Sequence, residues 1–145
     1  MNKPTNTYQA YYKTNVQTSD QLTLIVMLYE GLLRFLKKAL VKIEENDVEG
    51  AHNYLVRSQN IVSELLATLR VDKGGDVAKN LKDLYSYAFR RIVEANLKKD
   101  PHMVEEVIRV MEPLKQGWIQ IKEQQNQEKQ KVATTDVQKR VNFHG

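Results

Sequence analysis

The amino-acid sequence predicts an all-α protein: an antiparallel up-down-up-down four-helix bundle with an N-terminal arm and a polar C-terminal tail. Three observations carry this. Apolar residues recur at alternating steps of three and four over four long stretches. Short gaps rich in capping and turn residues separate those stretches, which makes consecutive helices antiparallel neighbours. No period-two run of β-branched and aromatic residues competes with them. The length of 145 residues suits one domain, divided here into an arm over residues 1–18, a bundle over 19–122 and a tail over 123–145.

The arm carries Tyr8, Tyr11, Tyr12 and Val16, and Met1 to Thr7 are too polar for a secretory signal. The first helix opens at Thr18 or Ser19, where Thr18-x-x-Gln21 has capping-box spacing and Asp20 suits the positive helix end. It is expected to reach about Asn46, with Ile25, Tyr29, Leu32, Leu36, Ala39 and Ile43 as its seam. Asp47 reads as the cap of a second helix, in which Val48, Ala51, Leu55, Ser58, Val62, Leu65 and Leu69 repeat the rhythm. Gly74-Gly75 then interrupts the pattern, since glycine tolerates positive φ and weakens helices, and Asp76 can cap the next helix. The third helix sets Ala78, Leu81, Tyr85, Ala88, Ile92 and Ala95 on one stripe and stops at Lys98-Lys99-Asp100-Pro101, an N-cap followed by an N1 proline. The fourth carries Val104, Val107, Met111, Leu114, Trp118 and Ile121, with Pro113 pointing away from that stripe and expected to bow the helix. Residues 123–145, rich in Gln and Lys, read as a mobile tail with at most a short helix around Thr135 to Val141.

Catalytic and cofactor chemistry find no support in the pattern. The absence of cysteine excludes disulfides, thiolate zinc sites and thiol catalysis together. Glu49-x-x-His52 has the spacing of half a di-metal site, but a second such motif and two further inward glutamates are missing, so no metal or cofactor is expected. His102 and His144 converge with no nucleophile, and Gly74-Gly75 lacks phosphate-loop spacing. The chain therefore reads as a binding protein and not an enzyme. Its most apolar run, Leu22 to Leu28, is far too short to span a membrane. Its net charge of +4 is spread over the chain and does not form the clustered footprint of a nucleic-acid binder.

The informative feature is an apolar surplus on the first helix. With Ile25 at zero and about 100° per residue, the seam falls within about 40° of that direction. Leu24, Leu28, Gly31 and Phe35 fall on one flank, Leu22, Val26, Leu33 and Leu40 on the other, and Met27 and Val41 on the back. Two readings account for this. Either the first helix is central and its neighbours with the arm bury it entirely, or the Leu24, Leu28, Gly31 and Phe35 flank, extended by Tyr54 and Ile61, is a groove for another polypeptide. Gly31 in mid-helix costs about 1 kcal/mol relative to Ala, which close approach of a partner segment would explain, and Met27 would supply adaptable contact.

The run from Ser19 to Gly31, Ser-Asp-Gln-Leu-Thr-Leu-Ile-Val-Met-Leu-Tyr-Glu-Gly, resembles the start of the flagellar secretion chaperone family FliS, where a small-residue and proline cap leads into Met-Leu-Tyr-Asp-Gly. Asp20 stands where proline is common, and Glu30 replaces Asp with its charge kept. The likeness continues through Gly74-Gly75-Asp76-Val77-Ala78-Lys79-Asn80-Leu81, Leu84-Tyr85, Glu94-Ala95-Asn96 and Trp118, and departs at Arg70, so it covers about Tyr8 to Ile121. It implies a cytoplasmic export chaperone that binds the disordered C-terminal region of flagellin, prevents premature polymerisation and aids type III secretion. It leaves room for other flagellar export or regulatory partners. The contacts it implies are Tyr8, Tyr11, Val16, Leu24, Met27, Leu28, Gly31 and Phe35, with the arm able to cover part of that site in the free protein. For Tyr29, Asn80, Tyr85, Asn96 and Trp118 a structural role stays ahead. A basic bundle binding nucleic acid and a self-associating structural bundle remain the alternative readings.

Overall fold

The computed structural model describes residues 18–144, so the expected arm residues Tyr8, Tyr11, Tyr12 and Val16 lie outside the described residues. Four helices follow one another: α1 (Thr18–Glu44), α2 (Val48–Thr68), α3 (Val71–Lys98) and α4 (Pro101–His144). No strand occurs among the described residues. The described residues fall into two units, 25–116 and the pair of segments 18–24 with 117–144.

The turns form for the reasons their residues suggest. Asp47 caps α2 by accepting from the Gly50 N–H at 2.9 Å. Asn46 (φ 60) and Lys99 (φ 49) adopt the left-handed conformation that ends α1 and α3, and the Asp100 carboxylate accepts from the His102 N–H at 2.9 Å just after Pro101 opens α4. Gly75 departs from helical geometry (φ 59, ψ −139) and splits a first turn, 71–74, from the main run of α3. The interruption expected at Gly74-Gly75 is therefore a kink inside α3, and the helix starts earlier than Asp76 suggested.

Within Ile25–Gln116 the helices pack as an antiparallel bundle. A Cβ at Gly31 of α1 would lie 3.2 Å from Ile61 Cδ1, while Phe35 stacks on Tyr54, so advancing along α1 means retreating along α2. α2 meets α3 through His52 and Asn96 (3.0 Å), and α3 meets α4 through Arg91 and Glu106 (2.8 Å). The core is the expected seam: Tyr29, Leu32, Leu36 and Ala39 from α1, Leu55, Val62 and Leu65 from α2, Tyr85, Ala88 and Ile92 from α3, and Val104, Val107 and Met111 from α4 are all buried. Each large aliphatic side chain so buried contributes about 1.5–3 kcal/mol. Two polar insertions are satisfied internally. The Tyr29 and Tyr85 phenols share a buried hydrogen bond of 2.6 Å with their rings edge to face, and Ser58 donates to the Tyr54 carbonyl one turn back.

The seam fails at helix ends. Val48 and Ile121 are exposed, because periodicity continues past the point where a neighbouring helix can cover it. Pro113 is exposed inside α4, as its direction from the stripe required. In the second unit Leu22 and Leu24 are buried and Trp118 is half-buried. α4 runs on to His144, through the stretch read from sequence as a tail, and residues 126–135 are exposed along it. Its Gln, Lys and Glu content favours helix without requiring burial.

Candidate functional site

The apolar surplus of α1 is buried unevenly. Leu22, Val26 and Leu33 on one flank are covered, Leu33 to 2% exposure, and Leu40 at its end is half-buried; on the other flank Leu24 and Gly31 are buried, whereas Leu28 and Phe35 are only half-buried. Met27 on the back is 61% exposed. The open flank is a shallow strip along the α1–α2 seam: Gly31 is buried and lets Ile61 approach, and Phe35 stacks on Tyr54 with ring centroids 6.0 Å apart and planes 27° from parallel. Gly31 thus has a local explanation, since any side chain there would press on α2.

Cations surround the aromatic pair. The Arg34 guanidinium lies 5.4 Å from the Phe35 ring centre, Arg57 lies 5.7 Å from both rings, and the Lys38 ammonium lies 5.6 Å from Tyr54. Each such contact is worth about 0.5–1 kcal/mol at an exposed site. The arrangement is an apolar strip with an aromatic centre and a basic rim. That suits an amphipathic or extended polypeptide carrying apolar anchors, and it contains no nucleophile, acid–base pair or phosphate cradle.

The family described as flagellar protein FliS matches residues 4–125. The chain belongs to the FliS family. It is 35% identical to the flagellar secretion chaperone FliS of Bacillus subtilis over 79% of this chain and 85% of that protein. The Campylobacter jejuni FliS is 36% identical over 79% of this chain and 89% of its own length. The Salmonella typhimurium FliS is 34% identical over 78% and 84%. A crystal structure of a bacterial flagellar chaperone superposes with a TM-score of 0.69, covering 83% of this chain and 98% of that one, at 18% identity, which speaks for the fold alone. FliS is a family of flagellar secretion chaperones and not of enzymes.

In this FliS-family chain the residues expected at the site fall into three groups. Met27, Leu28, Gly31, Phe35, Tyr54 and Ile61 lie along the α1–α2 strip or its edge. Leu24 is buried at 9% exposure, so little of it is available to a partner. Tyr8, Tyr11 and Val16 lie outside the described residues. Of the residues read as structural, Tyr29 and Tyr85 are core, and Asn96 bonds His52 and Lys99. Arg34, Lys38 and Arg57 were missed as parts of the strip. Only Arg57 had a signal, since it follows Tyr54 by three residues, the spacing at which helical side chains meet; Lys38 reaches Tyr54 across helices and Arg34 adjoins Phe35 in sequence.

A second polar cluster sits away from the strip. Arg91 of α3 grips Glu106 of α4 with two nitrogens, at 2.8 and 3.0 Å, and Tyr87 donates to the same carboxylate at 3.1 Å. The Arg91 hydrogen bond holds the Glu106 carboxyl below its ordinary value despite some desolvation, while burial and then Glu106 push the Tyr87 phenol up. This is a clamp between α3 and α4. Among the described residues no group of His, Asp and Glu is placed to hold a metal ion, Glu49 and His52 included. No described helix is long and apolar enough to cross a membrane.

Proposed function

We propose that this chain is a cytoplasmic export chaperone that binds the disordered C-terminal region of flagellin, prevents its premature polymerisation and aids its delivery to flagellar type III secretion. Family membership supplies the export-chaperone role. The observation that carries the rest is the partial exposure of Leu28 and Phe35 of α1 beside Tyr54 of α2, where Val26 and Leu33 of the opposite flank are covered. An amphipathic client segment would lay apolar side chains on Leu28, Phe35 and Ile61, with Met27 adapting to their shape. The cations beside the rings would meet client carboxylates or carbonyls at the rim. A disordered client loses conformational freedom on binding, which tempers affinity and allows later release to the export machinery.

The test is titration of the whole chain with a flagellin C-terminal segment, comparing wild type with Leu28→Arg. Binding weakened by at least about tenfold, or 1.4 kcal/mol, with unchanged helix content supports the strip as the site. Unchanged affinity would place the client elsewhere. Loss of folding would mean that this flank is already core.

A further inference from the structure

α1 carries a second feature, which shares Arg34 and Lys38 with the basic rim of the client strip. Between α1 and α4 lies a concavity of about 460 Å³, lined by Leu33, Arg34, Lys37, Lys38 and Val41 of α1 and Lys115 of α4. Leu33 is almost fully covered, whereas Val41 is 50% exposed and offers an apolar contact. Four cations surround this space, against the carboxylates of Glu30 on its rim and Glu112 beside it.

The pairing of those cations is incomplete. Glu112 alone is shared between Lys37, at 3.9 Å, and Lys115, at 3.5 Å, both long for an ion pair, and its Oε2 is buried without a hydrogen bond. Among the described residues neither Arg34 nor Lys38 has a carboxylate within ion-pair distance; both lean on the Phe35 and Tyr54 rings. A concentration of like charge of this kind repels itself, and a ligand of opposite charge relieves the repulsion.

We propose that this concavity docks an acidic segment of a partner protein. Carboxylates of that segment bind Lys37 and Lys115 in competition with Glu112, and an aliphatic side chain covers Val41. The reading goes beyond client binding: the two sites share Arg34 and Lys38, but the anchors of this one, Lys37, Val41 and Lys115, take no part in the Phe35–Tyr54 strip. Acidic polypeptide fits better than nucleic acid for two reasons. Glu30 and Glu112 interrupt the positive surface where a continuous phosphate backbone would run, and the exposed Val41 matches an aliphatic side chain.

The test uses the whole chain and fluorescence anisotropy with three labelled probes. These are a peptide of repeating Glu-Glu-Leu, its Lys-Lys-Leu counterpart, and a single-stranded thymidine oligonucleotide of the same charge as the first. The acidic peptide is expected to bind at least about tenfold more tightly than either control, a difference of 1.4 kcal/mol. Lys37→Glu combined with Lys115→Glu should weaken it at least about tenfold, and Glu112→Gln should tighten it about threefold by removing the competing carboxylate. Leu28→Arg should leave it unchanged, which separates this site from the client strip. If the double reversal lowers helix content, Lys37→Gln with Lys115→Gln serves instead, with a smaller loss in the same direction. Equal binding of the basic peptide or the oligonucleotide overturns the proposal, as does indifference to the Lys37 and Lys115 changes or weaker binding by Glu112→Gln.

Discussion

Neighbouring residues Phe35 and Leu36 face different environments, and truncating each in turn should separate the open strip from the core. Leu36 has no exposed surface, so Leu36→Ala removes three carbons from a packed interior that can only partly collapse. Such changes cost about 2–5 kcal/mol, a large share of the roughly 5–15 kcal/mol that holds an ordinary domain folded. Phe35 is half-buried and its main partner is Tyr54. Phe35→Ala forfeits an aromatic pair worth about 0.5–1.5 kcal/mol beyond burial and about half of the area term, for a total of about 1–3 kcal/mol. Urea unfolding followed by circular dichroism reads both, with unchanged slopes confirming that the unfolded state is comparable. Measured with the same two proteins, flagellin-segment affinity should fall with Phe35→Ala and stay near wild type in the folded fraction of Leu36→Ala. If the two truncations cost the same stability, the Phe35 flank is core and the division of α1 into sealed and open sides is wrong.

Three smaller predictions concern the frame around the strip. Glu106 is held below its ordinary value of 4.5, so the folded state releases its proton more readily than the unfolded chain. The resulting stabilisation is complete above that value and is lost as pH falls through the lower folded one. Wild type and Glu106→Gln should therefore converge in urea stability as pH is lowered, and parallel curves would remove the clamp from the account. Gly75→Ala should destabilise by about 1–2 kcal/mol in thermal unfolding, from backbone strain alone, since a Cβ there meets nothing within 4 Å; a neutral result would contradict the positive φ. Asp47→Ala should cost about 1 kcal/mol through the lost α2 cap, read by the same unfolding, whereas Asp47→Asn should retain most of it.

The bundle was legible because its core residues repeat at helical spacing. Tyr29, Leu32, Leu36 and Ala39, or Val104, Val107 and Met111, can share a face in only one way. Periodicity carries no information about where a neighbour ends, which is why Val48 and Ile121 were placed in the seam and are exposed. The continuation of α4 to His144 was not legible from burial arguments, because that stretch is helical by propensity with little to bury. At the candidate site, the excess apolar arc of α1 could be read from the sequence, whereas its uneven burial could not, since that depends on which side α2 and α4 take. The Phe35–Tyr54 stack joins residues 19 apart, and the Arg91–Glu106 clamp joins residues 15 apart. Helical phase places each of these side chains on its own helix but does not pair them across helices.

The central claim is most directly tested by methyl NMR of the whole chain titrated with a flagellin C-terminal segment. Saturable binding that shifts the methyl signals of Met27, Leu28 and Ile61, while those of Leu33 and Leu55 stay in place, is the predicted result. Absence of binding, or shifts that leave Leu28 and Ile61 untouched, would contradict it.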